Sequence, residues 1–203
     1  PLIGRPAPEF TLPRLDDPAK TLSRGDLLGK TSLVNVWGTW CSGCRQEHDA
    51  LLALARDSGI PIYGINWKDD QQLAREWLAT LGNPYVAVGV DQDGRTAIDW
   101  GVYGAPETFL IGPDGTVLYK HIAPITREVW REQFLPRMAE AGAAKCRSGG
   151  CRSPCSSDSY SLHVRVLPLT PTRSSRIRFS RPPMSGSPAR FAAWFARTRP
   201  LAT

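Results

Sequence analysis

Cys41 and Cys44 stand two residues apart in the stretch WGTWCSGC, Trp37 to Cys44. Such a pair can hold a metal, staple a loop or exchange electrons. A structural zinc site needs four ligands, usually from a second CxxC or paired histidines. In residues 1–145 the only further candidates are His48 and His121, whose spacing does not match. A permanent disulfide across two residues constrains little chain, so a purely structural role gains little. What remains is redox chemistry. Cys41 follows a strand-like run and precedes a helix-like run, which puts it at a helix N-terminus. Free backbone N–H groups and the helix dipole there favour the thiolate and lower the thiol pKa. A thiolate, not a thiol, attacks disulfides. Cys41 is therefore the expected nucleophile. Cys44, one turn further in and expected to be more buried, is the expected resolving thiol.

The positioning elements are readable from periodicity. Short edge strands and turns are expected around Phe10 and Thr21. Thr31–Trp37 is a β-branched and aromatic run of buried-strand type. The helix after Cys41 carries Leu51, Leu54 and Ala55 at helical spacing and stops at Gly59. IPIYGINW (residues 60–67) is a second strand. DDQQLAREWLATLG is a helix with Leu73, Trp77, Leu78 and Leu81 on one face, ended by Gly82-Asn83-Pro84. The cluster Lys68–Asp70 marks its start. YVAVGV (85–90) is a third strand, and a short helix covers Thr96–Trp100. ETFLI and TVLYKHI form a hairpin across GPDG. A last helix turns Val129, Trp130, Phe134 and Met138 inward, and Pro136 is expected to kink or shorten it. The order β-α-β-α-β-(α)-β-β-α predicts an α/β fold, a mixed sheet with helices on both faces and extra N-terminal strands.

The formal charge of +6 over 203 residues invites a nucleic-acid reading, which fails once the charge is located. Residues 146–203 hold ten Arg, no Lys and one Asp, so they carry +9 and leave residues 1–145 at −3. No nucleic-acid partner is predicted. The globular part is read as residues 1–144, followed by an Arg/Ser/Pro-rich tail, 145–203, whose composition predicts disorder. A frameshifted reading of the coding DNA would give the same texture. Cys146, Cys151 and Cys155 crowd the start of this tail. No apolar run reaches the roughly 18–20 residues that span a bilayer. The chain begins at Pro1 without a signal peptide, and a native N-terminal membrane anchor is expected upstream of it.

VNVWGTWCSGC resembles the active-site strand and turn of the thioredoxin superfamily. GVYGAPETFLI, GINWKDD and TLGNPY are similar to one branch of it, the periplasmic cytochrome c maturation proteins of the CcmG/DsbE type. The resemblance covers residues 2–141. It implies a thioredoxin-like fold in which Pro106 is the cis-proline beside the CxxC. The backbone of Ala105 would then pair with a substrate segment, and Trp40 would cover the thiol on a docking surface. It also implies acidic and tyrosine roles, matching Glu47, Tyr103 and Glu107. Asn35 takes the strand position where ordinary thioredoxins place a buried Asp. Glu47, on the inward side of the CxxC helix, is thus the expected proton acceptor for Cys44, with Glu107 a second candidate. Relatives usually carry Pro between the two cysteines, whereas this chain has Ser42-Gly43, a change expected to alter thiolate stability and reduction potential.

The implied activity is that of a periplasmic thiol:disulfide interchange protein, anchored to the inner membrane. It would reduce disulfides of apocytochrome c, or of a partner holding it, during cytochrome c biogenesis. A membrane thiol reductase of the DsbD or CcdA kind would re-reduce it, and no cofactor or metal is expected. Two alternatives stand beside this reading. One is a general periplasmic thiol reductant of the TlpA kind. The other is a non-enzymatic metal or interaction module built on Cys146, Cys151, Cys155 and the basic tail. A peroxidase is disfavoured, since Thr39 lies two residues before Cys41 with no proline nearby.

Overall fold

The structure, a computed structural model, describes residues 2–147. The tail hypothesis therefore falls almost wholly outside the described residues. Cys151 and Cys155 lie outside them, and only the backbone is described at Cys146.

A five-stranded sheet has the order β5-β4-β3-β6-β7. β3 (Ser32–Trp37) lies at its centre, parallel to β4 (Ile62–Trp67), which is parallel to β5 (Ala87–Asp91). β6 (Glu107–Ile111) runs antiparallel to β3, and β7 (Val117–His121) antiparallel to β6. Every residue of β3 is buried, as expected of a strand covered on both faces. Its alternation divides the core. Leu33, Asn35 and Trp37 point to the face covered by α1 (Ser42–Asp57), α2 (Gln71–Leu81) and the C-terminal helix, while Val34 and Val36 point to the other. That second face is covered by α3 (Arg95–Asp99) and by an antiparallel pair, β1 (Thr11–Pro13) and β2 (Thr21–Ser23). These are the expected N-terminal strands. The pair reaches β5 through an Arg14–Gly89 bridge. Its approach needs a glycine, because a Cβ at position 89 would lie 2.9 Å from Leu12 Cβ.

Two expectations are corrected. On α2 the buried stripe is Ala74, Trp77 and Leu78, whereas Leu73 and Leu81 are 48% and 38% exposed. The helix buries a narrow i, i+3, i+4 face, and a small residue in it outranks the larger leucines on its flanks. Of the kinking or shortening expected at Pro136, shortening does not occur. α4 (Arg127–Val129) runs into a π-helical turn (Trp130–Phe134) and then α5 (Leu135–Arg147). The N–H of Leu135 donates to the Trp130 carbonyl, one residue wider than an α-turn. A proline, with no N–H to give, thus enters the helix just past a locally widened turn. No helix among the described residues is long and apolar enough to cross a membrane.

Candidate active site

Gly38-Thr39-Trp40 carries the chain from β3 into α1, and Cys41 is the N-cap. The cap contact is made by sulfur, with the Cys44 N–H donating to Cys41 Sγ at 3.0 Å. Cys41 and Cys44 are joined as a disulfide. The expected difference in burial is absent, since Cys41 is 4% and Cys44 3% exposed. Both sulfurs sit where α1 begins, and two prolines close on the turn between them. A Cβ at Gly43 would lie 2.8 Å from Pro106 Cδ and 3.3 Å from Pro124 Cγ. Gly43 therefore allows the close approach of the two prolines to the turn. The Ala105–Pro106 peptide is cis, and Pro106 is buried against the CxxC turn.

Glu47 is fully buried one turn below Cys44 on the same helix face. Its Oε1 accepts from Asn35 Nδ2 at 2.8 Å and its Oε2 from the Ile125 N–H at 2.8 Å. Both partners are neutral. Burial pushes the carboxyl up to about 7, and the two hydrogen bonds oppose that rise only in part. A carboxyl poised there exchanges protons near neutral pH. Asn35 also donates to Thr108 Oγ1 at 3.0 Å and accepts from the Tyr85 hydroxyl at 2.8 Å.

Glu107 is equally buried but faces away. It pairs in register with Val36, on the face opposite Asn35 and Glu47. Its carboxylate accepts from the Tyr103 N–H at 2.9 Å and pairs with Lys120 Nζ at 2.7 Å. Lys120 also donates to the Gly101 carbonyl at 2.7 Å. Glu107 therefore ties down the Gly101–Pro106 loop. It is placed on the wrong face to take the Cys44 proton, which corrects its candidacy as a second acceptor. Tyr103 is not core. It is 88% exposed, with Lys120 Nζ 5.2 Å from its ring centre. Ala105 is half-buried beside Pro106. Trp40 is 53% exposed and packs edge-on against Trp67 at 5.7 Å, its Nε1 donating to the Trp67 carbonyl at 3.3 Å. Trp37 is core, stacked on Tyr85.

Sequence reasoning missed a third buried carboxylate. Asp69 accepts from the Thr39 N–H (2.7 Å), the Thr39 hydroxyl (2.6 Å), Asn66 Nδ2 (2.8 Å) and the Asp70 N–H (2.9 Å). It pins the loop that delivers Trp40 and Cys41. Asp70, beside it, is the N-cap of α2, accepting from the Gln72 and Leu73 N–H groups. Of the Lys68–Asp70 cluster, one acid thus starts the helix and the other holds the active-site loop. Tyr85 and Thr108 were missed as well. Thr108 pairs in register with Asn35, which only the folded sheet reveals. Tyr85 sits two residues before β5 begins, inside the run read as strand.

The arrangement is that of a dithiol–disulfide exchange centre: a sulfur at a helix N-terminus, a second sulfur within bonding reach, a cis-proline against the pair and a buried carboxyl beneath. Comparison with known proteins agrees. The Redoxin family model matches residues 2–133. The chain is 47% identical over 145 residues to the thiol:disulfide interchange protein DsbE of Allochromatium vinosum, covering 71% of this chain and 80% of that protein. To DsbE of Pseudomonas aeruginosa it is 52% identical over 135 residues, covering 66% and 74%. It is also similar to the crystal structure of a putative thiol:disulfide interchange protein DsbE from Chlorobium tepidum. There the TM-score is 0.54 at 26% identity, covering 67% of this chain and 94% of that one. A solution structure of a putative thioredoxin from Neisseria meningitidis superposes with a TM-score of 0.59 at 26% identity, covering 68% and 92%. The chain belongs to the DsbE family of thiol:disulfide interchange proteins, within the thioredoxin superfamily.

Proposed function

We propose that this thiol:disulfide oxidoreductase works as a reductant in cytochrome c biogenesis, in the periplasm, with apocytochrome c or its holding partner as substrate. The observation that carries this reading is the segment GVYGAPETF, Gly101–Phe109. It resembles the cytochrome c maturation branch, and its cis-proline lies against the CxxC turn. In the reduced protein the Cys41 thiolate attacks one sulfur of the substrate disulfide. A mixed disulfide forms and the other substrate sulfur leaves as a thiolate. Cys44 gives its proton to Glu47 and attacks Cys41 Sγ. The second substrate thiolate departs, and Cys41–Cys44 is left oxidised. Two electrons have passed to the substrate, whose haem-attachment thiols are then free. A membrane thiol reductase of the DsbD or CcdA kind returns the pair to the dithiol by the reverse exchange.

The test uses the Cys44→Ser variant, which can form the mixed disulfide but not resolve it. Incubated with an oxidised apocytochrome c peptide carrying Cys-x-x-Cys-His, it is expected to accumulate a covalent adduct through Cys41. A peptide with the same disulfide and a scrambled surround should trap at least tenfold more slowly. Equal trapping of both would replace this reading with a general thiol reductant of the TlpA kind.

A further inference from the structure

Tyr85 takes no part in the exchange just described, yet its hydroxyl is buried at one end of a polar chain that ends on Glu47. The phenol donates to Asn35 Oδ1 at 2.8 Å. Asn35 Nδ2 then donates to Glu47 Oε1 at 2.8 Å and to Thr108 Oγ1 at 3.0 Å. All four side chains lie in the core. The amide has a direction. With Oδ1 held by the phenol, both N–H bonds face Glu47 and Thr108, an arrangement that favours the carboxylate. Reversed, the amide would turn its carbonyl on Glu47, repelling the carboxylate and accepting from the carboxylic acid.

We propose that Tyr85 is a positioning residue for the redox step: by holding the Asn35 carbonyl it keeps the amide N–H groups on Glu47 and so sets how readily Glu47 accepts the Cys44 proton. The proposal rests on the reading of Glu47 as that acceptor.

Two observations and one general principle support it. The ring is fixed, stacked on Trp37 at 5.5 Å and 17°, and the Tyr85 N–H donates to Asn83 Oδ1 at 2.9 Å. The hydroxyl is therefore delivered to Asn35 from a rigid platform. Burial and the nearby Glu47 carboxylate hold the phenol well above its usual range, so it stays a donor throughout neutral pH. Hydrogen bonds in a chain also polarise one another, so a donor on Oδ1 strengthens the N–H bond to Glu47. The phenol of Tyr85, from the segment before β5, is the titratable group whose charge couples to Glu47, and Cys44, one turn away on the same helix, is held in the disulfide. Asn35, Thr108 and the Ile125 backbone are neutral. His48, next on the helix, is turned to Trp77 and the Gly82 carbonyl.

The test titrates the Glu47 carboxyl by 13C NMR in the full chain and follows disulfide reduction against pH, in wild type, Tyr85→Phe and Glu47→Gln. In Tyr85→Phe the Glu47 midpoint is expected to rise by about one unit, which makes turnover roughly fivefold slower at pH 7 and equal to wild type near pH 9. Glu47→Gln should remove the inflection. If it does and Tyr85→Phe leaves the midpoint in place, the Tyr85 role is overturned while the Glu47 reading stands. If the inflection survives in Glu47→Gln, both are overturned. Should Tyr85→Phe not fold, wild type decides. The Asn35 side-chain amide signals must move with the Glu47 midpoint and the Tyr85 hydroxyl proton must exchange slowly. Amide signals flat through that midpoint overturn the proposal.

Discussion

Glu47 and Glu107 are both fully buried, and both lie within a few residues of the redox turn or its cis-proline. They sit on opposite faces of the same sheet, and their neighbours make them different groups. Glu47 meets only neutral donors, an amide and a backbone N–H, and is pushed up to about 7. Glu107 meets Lys120 and one backbone N–H, and its charge is balanced where it stands. Here the carboxylate with a cation is a strut, and the one with only two neutral donors is a proton exchanger. Burial alone distinguishes nothing; the partner decides.

The strut should break hardest. Lys120→Met leaves the Glu107 carboxyl buried without its cation, at an expected loss of about 3–5 kcal/mol in urea unfolding at pH 7. Adding Glu107→Gln should restore much of it. A single-variant loss below about 1 kcal/mol would mean that Glu107 is not held by charge.

The exchanger should reveal itself through pH. A carboxyl whose folded value lies above its unfolded one binds the extra proton in the folded state, so its contribution to stability is greatest below pH 4.5 and falls as pH rises to about 7. The contribution is about 3 kcal/mol at most. Wild type should lose stability across pH 5–8, and Glu47→Gln should flatten that part of the profile. The same slope in both proteins would place the titration elsewhere.

Asp69 sharpens the comparison from a third side, since it is buried and held by four donors without a cation. Asp69→Asn turns an NH₂ on at least one donor and is expected to cost about 2 kcal/mol. It should also broaden the Trp40 side-chain NMR signals. Sharp, unshifted Trp40 signals would show that the active-site loop does not depend on Asp69.

What was legible in the sequence was local. The strand, CxxC and helix lie within thirty residues, so their spacing alone placed Cys41 at the N-cap and Glu47 one turn below Cys44 on the inward face. Pro106 and the loop around it were legible by resemblance. What was hidden was joined over distance. Asn35 meets Tyr85 fifty residues on and Thr108 seventy-three residues on. Asp69 reaches back thirty residues to Thr39. No periodicity links such pairs, because the sheet register that unites them is a tertiary fact. Glu107 was misjudged for the same reason. Its position next to Pro106 suggested the chemistry, but strand alternation turned it to the opposite face and to Lys120. Leu73 and Leu81 looked inward by type, yet the packing stripe ran through Ala74.

The central claim, that this centre donates electrons, is tested most directly by the reduction potential of Cys41–Cys44, measured by equilibration with glutathione or a thioredoxin of known potential. A reductant requires a value near the roughly −270 mV of thioredoxin. A value near the roughly −120 mV of DsbA would make the same fold an oxidant and contradict the account.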